Sequence, residues 1–549
     1  MSASSKKKLR NEQEAAKLTE KQLTEQKEAK KLKLYTTIFT VVLAAIVVIA
    51  AVTGVSQVIR TSGIREKNTV AVTIGTEELS NAELNYYYID AVNQFYSNYG
   101  TYATLFGMDV NKPLNEQIVN EETGATWADD FTESAIANAK ATLALVAEAK
   151  AKGHTLTEAE TAQIETNLSS LDMYSVMYGY SSGEDYLKAM YGRGASMESY
   201  RAYCEANALA SSYYNAYGES LTYDDAALRA SEAENPNQYN AYTYNSYYLN
   251  VNNFLEGGTT SEDGTTTYSD EEKANAVKAA EAAAKELTGD EITSVADLDA
   301  AIAALSINAE SETPVSSTAY EDQMYTSVST VIAQWLADEN RKAGDLAYLV
   351  NESTTTAEDG TETTTVNGYY VVYFHSVNDN TFPLANVRHI LVSFEGGSYD
   401  SSTGITTYND EEKLAAHAKA EDLLAQWKSS GATEDNFASM ANEHSTDPGS
   451  NTNGGLYEDV FPGQMVTAFN DWCFDDARKA GDTGIVETDY GCHIMFYSGD
   501  SETNYRDFMI ASNLRSADLE NWYSALVESA SATKGNTQYL SNDLVLSGN

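Results

Sequence analysis

The sequence predicts an α+β protein made of a single transmembrane helix, a mostly helical domain and two related α+β domains. Three observations lead to this prediction: one long uncharged apolar stretch, a run of amphipathic helical segments, and an internal repeat in the second half of the chain. A chain of 549 residues is also too long for one hydrophobic core, so several domains are expected.

The N-terminus has the composition of a membrane anchor. Residues 1–33 carry ten Lys and Arg against five Glu, and residues 34–59 carry no charge. About 20 apolar residues span a bilayer as a helix, and lysines before the span place the N-terminus in the cytoplasm. We therefore expect a single-pass protein of the cell membrane with an extracytoplasmic bulk. The alternative is a cleaved signal peptide, whose apolar region is usually about 7–15 residues long.

The remainder of the chain is strongly acidic, with 25 basic and 76 acidic residues. Such a body repels nucleic acid, so no nucleic-acid partner is expected. The three cysteines, Cys204, Cys473 and Cys492, form neither a disulfide framework nor a metal-binding spacing. Phosphate-binding glycine loops are absent from the sequence as well. We expect no cofactor and no metal.

The helical domain is predicted at 68–235. A strand and a turn precede a helix that is capped by Ser80, with Glu83 at the capping-box position. Two amphipathic stretches in 132–171 are separated at Gly153, and the second begins after the cap Thr157. Two further helices are predicted in 184–217.

An internal repeat defines two copies of one domain, at 236–380 and 383–499. The segment TTTYSDEEKANAVKAAEAAAKELTG parallels ITTYNDEEKLAAHAKAEDLLAQWKSSG, and WLADENRKAGD parallels WCFDDARKAGD. A glycine-led strand follows each copy's second motif. Helices capped at Ser269 and Asn409 are expected to cover a sheet in each copy, the second one through Leu414, Ala420, Leu424 and Trp427. Threonine-rich tracts at 258–270, 353–366 and 398–410 are expected to form exposed hairpins.

The end of the chain, 500–549, predicts a further amphipathic helix over 505–530. The helical domain resembles the chaperone domain of the SurA/PrsA-like family, on its opening strand and helix, the run from Glu148 to Glu158 and the YL…YG.G…Y segment. This resemblance implies that the C-terminal segment returns to complete the helical domain.

The stretch 386–499 carries the chemically specific residues. In order, it contains VRHILV, an acidic DEE helix, FASMANEHSTD, a GG-L turn, FPGQMVTAF and VETDYGCHI. Together these motifs resemble a parvulin-type peptidyl-prolyl isomerase domain of the SurA/PrsA-like extracytoplasmic foldases. Alternation along the first and last strands of this stretch places each histidine on one face of its own strand, His389 together with Leu391 and His493 together with Met495.

The resemblance implies the site residues one by one. The catalytic positions are expected at His389, Asp447, Thr488 and His493. The substrate-binding positions are expected at Leu456, Gln464, Met465 and Phe469. A turn before Pro448 is the purely structural alternative for Asp447, and a nucleophilic role for Asp447 stays open. The first copy has no histidine between residues 155 and 374, and Tyr370 stands in the place of His493. That copy is therefore expected to be degenerate.

The sequence thus favours a membrane-anchored foldase that isomerises X–Pro bonds and binds unfolded or newly translocated proteins. Rotation about an X–Pro bond needs an apolar slot for the ring and fixed polar groups, but no cofactor. Two alternatives stay open: a holding chaperone with inactive parvulin domains, and a cell-surface structural or adhesive protein. Homodimer formation through the helical domain is also left open.

Overall fold

The computed structural model describes residues 3–11, 33, 61–262, 264–309, 311–357 and 359–546. The chain divides into two compact units, of which the first comprises Met1–Leu221 with Ala517–Asn549 and the second comprises Thr222–Ser516. The first unit is mostly helical, and the second contains two four-stranded antiparallel sheets. The architecture of the described residues is therefore a mixture of helices and sheets.

The predicted fold class needs correction, because it included a single transmembrane helix. Within the described ranges, none of the helices is both long enough and apolar enough to cross a membrane. Even the 26-residue helix Trp127–Lys152 carries charged residues at both ends, as an amphipathic helix of a globular protein does. The span predicted at 34–59 lies outside the described residues.

The first unit contains a small sheet and a set of helices. Its elements are α1 (Ile64–Asn68), β1 (Val70–Ile74), β2 (Glu77–Ser80), α2 (Asn81–Tyr99), β3 (Ile118–Asn120), β4 (Ala125–Thr126), α3 (Trp127–Lys152), α4 (Glu158–Met177), α5 (Gly183–Tyr191) and α6 (Met197–Ser220). The predicted caps are confirmed: Ser80 and Thr157 each form a capping box, and Gly153 ends α3 in the left-handed region.

The second unit begins with α7 and contains both copies of the repeat. Helix α7 (Asp225–Glu234) precedes the first copy, whose elements are β5 (Ala241–Asn250), β6 (Thr259–Thr260), β7 (Thr266–Thr267), α8 (Asp270–Glu286), α9 (Val295–Ala304), β8 (Thr318–Met324), α10 (Thr330–Leu336), β9 (Leu346–Thr356) and β10 (Glu362–Asn378). The helix caps at Ser269 and Asn409 are confirmed as capping boxes.

The second copy follows in the same order of elements. These are β11 (Pro383–Ser393), β12 (Ser398–Asp400), β13 (Ile405–Thr407), α11 (Asp410–Ser429), α12 (Glu434–His444), β14 (Leu456–Val460), α13 (Thr467–Cys473), β15 (Thr483–Thr488) and β16 (Gly491–Asn504). The chain ends in α14 (Tyr505–Ser529) and β17 (Ala532–Lys534). The three threonine-rich tracts all form hairpins, as predicted.

The sheets of the two copies have the same topology. The strand order is β8-β5-β10-β9 in the first copy and β14-β11-β16-β15 in the second. Each copy also carries an arginine over a tryptophan ring, Arg341 over Trp335 at 3.8 Å and Arg478 over Trp472 at 3.9 Å. The repeat seen in the sequence therefore corresponds to a repeat in structure, while the predicted domain boundaries stay predictions.

Helix α11 covers one face of the second sheet, and of the predicted residues Ala420, Leu424 and Trp427 contribute to this contact while Leu414 does not. Its buried residues are Ala416, Ala420, Leu423 and Trp427, whereas Leu414 is 69% exposed. The buried positions repeat every three or four residues, which keeps them on one helix face. Leu414 lies two residues before that stripe, which places it about 200° away around the helix.

Arg506, at the start of α14, binds both ends of the first copy. Its guanidinium is buried and donates to the Asn240 side-chain oxygen at 2.8 Å and to the carbonyl oxygens of Asp379 and Pro236 at 2.9 and 2.6 Å. It also forms an ion pair with Glu232 of α7. One side chain after the second copy therefore holds the beginning and the end of the first copy together.

We expect Arg506→Met to lower the free energy of unfolding by about 2–4 kcal/mol, because it leaves three oxygens without their buried donor, while Glu232 keeps its ion pair with Arg229. Urea titration followed by tryptophan fluorescence measures this change. The control is Arg201→Met, which removes an exposed ion pair with Glu165 and should change the free energy of unfolding little. Equal losses in the two variants would contradict the assigned role of Arg506.

Candidate active site

Two neighbouring strands of the second copy place their odd-numbered residues on the same side of the sheet. On β11 and β16 the even-numbered residues Ile390, Val392, Cys492 and Ile494 pack under α11 and α12 in one apolar cluster. The odd-numbered residues Val387 and Met495 belong to a second cluster on the opposite face. His389 lies opposite Met495 and His493 opposite Leu391 in the register, so both histidines lie on that second face.

The two histidines form a buried pair. His389 is 3% exposed and His493 is 6% exposed, and their Nδ1 atoms lie 2.9 Å apart. The rings stack at a centroid distance of 5.1 Å with an interplanar angle of 19°. The structure thus brings together the two residues that the sequence placed on separate strands, and one nitrogen of each is satisfied by the other.

The loop from Asp447 to Gly455 reaches the histidine pair because glycine allows a close approach. The His389 N–H donates to the Gly455 carbonyl at 2.8 Å. Gly455 has φ +71°, and a Cβ at this position would lie 2.2 Å from the His389 carbonyl oxygen. Only glycine fits such an approach, which explains the glycine pair in the GG-L turn.

The Asp447 carboxylate is held by three donors on one oxygen. Its Oδ2 atom lies 2.9 Å from His389 Nε2 and accepts from Ser450 Oγ at 2.5 Å and from the Tyr457 hydroxyl at 2.9 Å. These bonds, led by the one from His389, hold the pKa of Asp447 well below its usual range. Burial and the neighbouring Asp447 raise the pKa of the Tyr457 phenol, which therefore stays a donor.

The hydrogen bonds form one continuous chain. Because Asp447 is ionised, His389 Nε2 must carry the proton that it shares with the carboxylate. The Nδ1 atoms of the two rings share the next hydrogen bond, and His493 Nε2 lies 2.8 Å from the Thr488 hydroxyl. Burial and the nearby His389 lower the pKa of His493 to about 4, so the His493 ring is neutral at pH 7.

The apolar side of the site is formed by Phe469 and Met465. The Phe469 ring meets both imidazoles edge-on, at 5.4 Å from His389 and 5.5 Å from His493. Met465 packs against the same apolar cluster and stays half-buried. The Gln464 side chain instead turns back to accept from the Phe461 N–H at 3.1 Å.

Leu456 lies apart from the histidine pair. It is opposite Arg388 in the register and therefore on the face that carries the helices, whereas Tyr457 lies opposite Val387 on the site face. Sequence reasoning missed Tyr457 and Ser450. Once the register of β14 is known, strand alternation places Tyr457 on the face that carries the histidines, because Tyr457 lies opposite Val387. The spacing Asp447-x-x-Ser450 gave the only sequence signal for the serine.

The first copy has a serine and a tyrosine in place of the two histidines. Tyr370 aligns with His493, and its ring lies 4.7 Å from the ring of Tyr248. The Tyr248 hydroxyl accepts a hydrogen bond from the Asn351 side chain at 3.0 Å. Ser246, opposite Val372, stands in the position of His389. Throughout the described ranges, no group of three or more His, Cys, Asp or Glu residues is arranged to hold a metal ion.

Comparison with known proteins assigns the second copy to an enzyme class. Residues 369–498 match the profile of the family described as PPIC-type PPIASE domain. The chain therefore carries a parvulin-type peptidyl-prolyl isomerase domain, and the class predicted from the sequence is confirmed. The match begins in β10 and ends in β16.

The curated relatives are foldases. The chain is 28% identical over 177 residues to Foldase protein PrsA 2 of Listeria monocytogenes, which covers 32% of this chain and 49% of that protein. It is 39% identical over 59 residues to Foldase protein PrsA 1 of Listeria innocua, which covers 11% of this chain and 20% of that protein. The chain thus spans half or less of the length of these relatives.

Two crystal structures of peptidylprolyl isomerase (PrsA) are also similar to this chain. The structure from Bacillus cereus shares 21% identity with a TM-score of 0.17 and covers 27% of this chain and 49% of that chain. The structure from Bacillus anthracis shares 19% identity with a TM-score of 0.17 and covers 28% of this chain and 59% of that chain.

The lowered pKa of His493 predicts a loss of stability in mild acid. The unfolded chain binds a proton near pH 6.5, whereas folded His493 does so only near pH 4, so the free energy of unfolding falls as the pH drops between these values. One pKa unit corresponds to about 1.4 kcal/mol, which gives a loss of about 2–3 kcal/mol between pH 7 and pH 4.5. Asp447 contributes to the loss of stability only at still lower pH. Its pKa in the folded protein is lowered, so this contribution is lost as the pH falls below the usual range of a carboxyl group.

Urea titrations at pH 7 and pH 4.5 measure this loss. His493→Gln removes the titrating group and should flatten the pH dependence, while the control His417→Gln, on the exposed side of α11, should leave it unchanged. An identical slope in wild type and His493→Gln would show that other groups cause the acid sensitivity.

Proposed function

We propose that the second copy catalyses cis/trans isomerisation of X–Pro peptide bonds in non-native polypeptides. The observation that carries this proposal is the Asp447 carboxylate, ionised and held by three donors next to the buried histidine pair and the Phe469 ring. Uncatalysed isomerisation takes tens to hundreds of seconds, which makes it slow enough to limit folding.

The apolar residues hold the proline ring in the proposed mechanism. Met465 and Phe469 provide an apolar surface beside the polar chain, and gripping the ring lets the preceding carbonyl rotate. Arg388 is already bound to Glu434 at 2.8 Å and to the Gly454 carbonyl at 3.0 Å. With this arginine occupied, non-phosphorylated X–Pro segments are the better substrate class.

Asp447 acts electrostatically in this mechanism. In the planar amide, conjugation makes the carbonyl oxygen more negative than in the twisted state. A fixed negative charge beside that oxygen therefore raises the planar state relative to the twisted one, which lowers the barrier. The histidine pair holds Asp447 in place through His389 Nε2, so the proposed function of both imidazoles is positioning.

The proposal extends to client binding and location. The mostly helical first unit would bind unfolded segments, and the protein would act outside the cytoplasm. The similarity to foldases named PrsA and the acidic character of the chain support this part. Protease treatment of intact cells tests the location, because an extracytoplasmic body is degraded and a cytoplasmic one is protected.

We expect Asp447→Asn to lower kcat/KM by about tenfold or more, because the carboxamide keeps the shape and loses the charge. A protease-coupled assay on a short X–Pro peptide measures the rate. The control is Asp476→Asn, which changes an exposed aspartate outside the site. If the folded wild type is no faster than buffer, the isomerase proposal fails.

Met465→Ala should raise KM severalfold and change kcat little, because the ring contact is made in both the ground state and the transition state. Loss of such an apolar contact is worth about 1–2 kcal/mol. The control Leu414→Ala removes an exposed leucine on α11. A loss seen in Met465 and Phe469 variants but not in Asp447→Asn would mean that the polar role is misassigned.

A further inference from the structure

The C-terminal tail, residues 530–546, lies in a groove of the first unit. Strand β17 of the tail pairs with the edge of β1 through Ala532, Thr533 and Lys534. Beyond it the chain crosses α2, where two buried asparagines one turn apart, Asn81 and Asn85, contact it. We call the β1 edge, these asparagines and the pocket around Leu540 the tail groove.

The asparagines bind the main chain of the tail. Asn81 donates to the Asn536 carbonyl at 2.7 Å and accepts from the Tyr539 N–H at 3.2 Å. Asn85 accepts from the Ser541 N–H at 2.9 Å. Every polypeptide offers these donors and acceptors, and strand pairing at a sheet edge is equally independent of sequence. The groove therefore recognises mainly backbone. The tail adds polar side-chain contacts of its own, a hydrogen bond from Asn85 to Ser541 Oγ at 3.1 Å and an ion pair of Lys534 with Glu133 at 2.7 Å.

Apolar side chains anchor only the end of the tail. Leu540 is 6% exposed and lies in the same cluster as Tyr88 and Leu114, and Leu544 and Leu546 pack partly buried against that cluster. The three residues of β17 are all exposed. Residues 530–539 contribute no buried side chain, and such a stretch opens locally at low cost. A cavity of about 390 Å³ beside the tail, lined in part by Asn81, Asn85 and Leu540, leaves room for it to move.

We propose that the tail groove is a polypeptide-binding site, which the tail occupies in the resting protein and a non-native client segment occupies when it replaces the tail. The client needs a short extended stretch for the β1 edge and an apolar side chain for the Leu540 pocket. This inference rests on the client-binding function proposed above and gives that function a location.

Hydrogen exchange on the full chain tests the replacement directly. The probe is reduced, carboxymethylated α-lactalbumin, which cannot refold, and its binding is followed by fluorescence anisotropy. At saturating probe, the amides of Tyr539, Ser541 and Leu544 should exchange faster, while buried amides of α3 keep their protection. Probe binding with unchanged or slower tail exchange overturns the groove assignment alone. Absence of probe binding overturns client binding and the groove together.

A variant with a weakened tail anchor gives a second test. Its affinity for the probe should rise if the tail competes with the client for the groove, and should stay equal or fall if it does not. Leu540→Ala should bind the probe about tenfold more tightly, because the groove is free in a larger fraction of molecules. Gln538→Ala, at an exposed tail position, is the control. Affinity equal to or below that of the control overturns the proposal. The isomerase rate on short peptides should be the same in all three proteins, and if Leu540→Ala fails to fold, the wild-type exchange measurement decides.

Discussion

The hydrogen bond between His389 and His493 is the interaction on which the candidate active site depends. Two imidazoles without access to water must satisfy four ring nitrogens, and here Thr488 and Asp447 take the outer two. The chain of hydrogen bonds ends at the Asp447 carboxylate, whose negative charge is held in one position by its three donors.

The first copy has neither histidine at the two corresponding positions. A single histidine there would leave a buried nitrogen unpaired, which costs about 1–3 kcal/mol. The two positions hold Ser246 and Tyr370, while the sheet order and the arginine over tryptophan are the same in both copies. The fold is thus maintained by features that are separate from those that carry the chemistry.

Much of this arrangement was predictable from the sequence, because it depends on local rules. Capping residues gave the helix starts, and strand alternation gave the face of its own strand on which each of His389 and His493 lies. Such local counting stops where the chain changes direction: Leu456 follows two glycines with positive φ, so its face could not be counted from the preceding helix. Ser450 joins the site through a loop, and Tyr457 joins it from β14, whose register is set only after that loop. The error at Leu414 came from starting the apolar stripe two residues early.

The division of the chain gives the first unit an unusual order of assembly. Its residues lie at both ends of the sequence, since Trp522 packs with Leu145 and Tyr213, and Leu540 lies in the cluster of α2 and α3. Ribosomes deliver a chain from its N-terminus, so these two clusters stay incomplete until the residues after 516 have been made. The helical unit therefore depends on a segment that is synthesised after the whole of the second unit, residues 222–516.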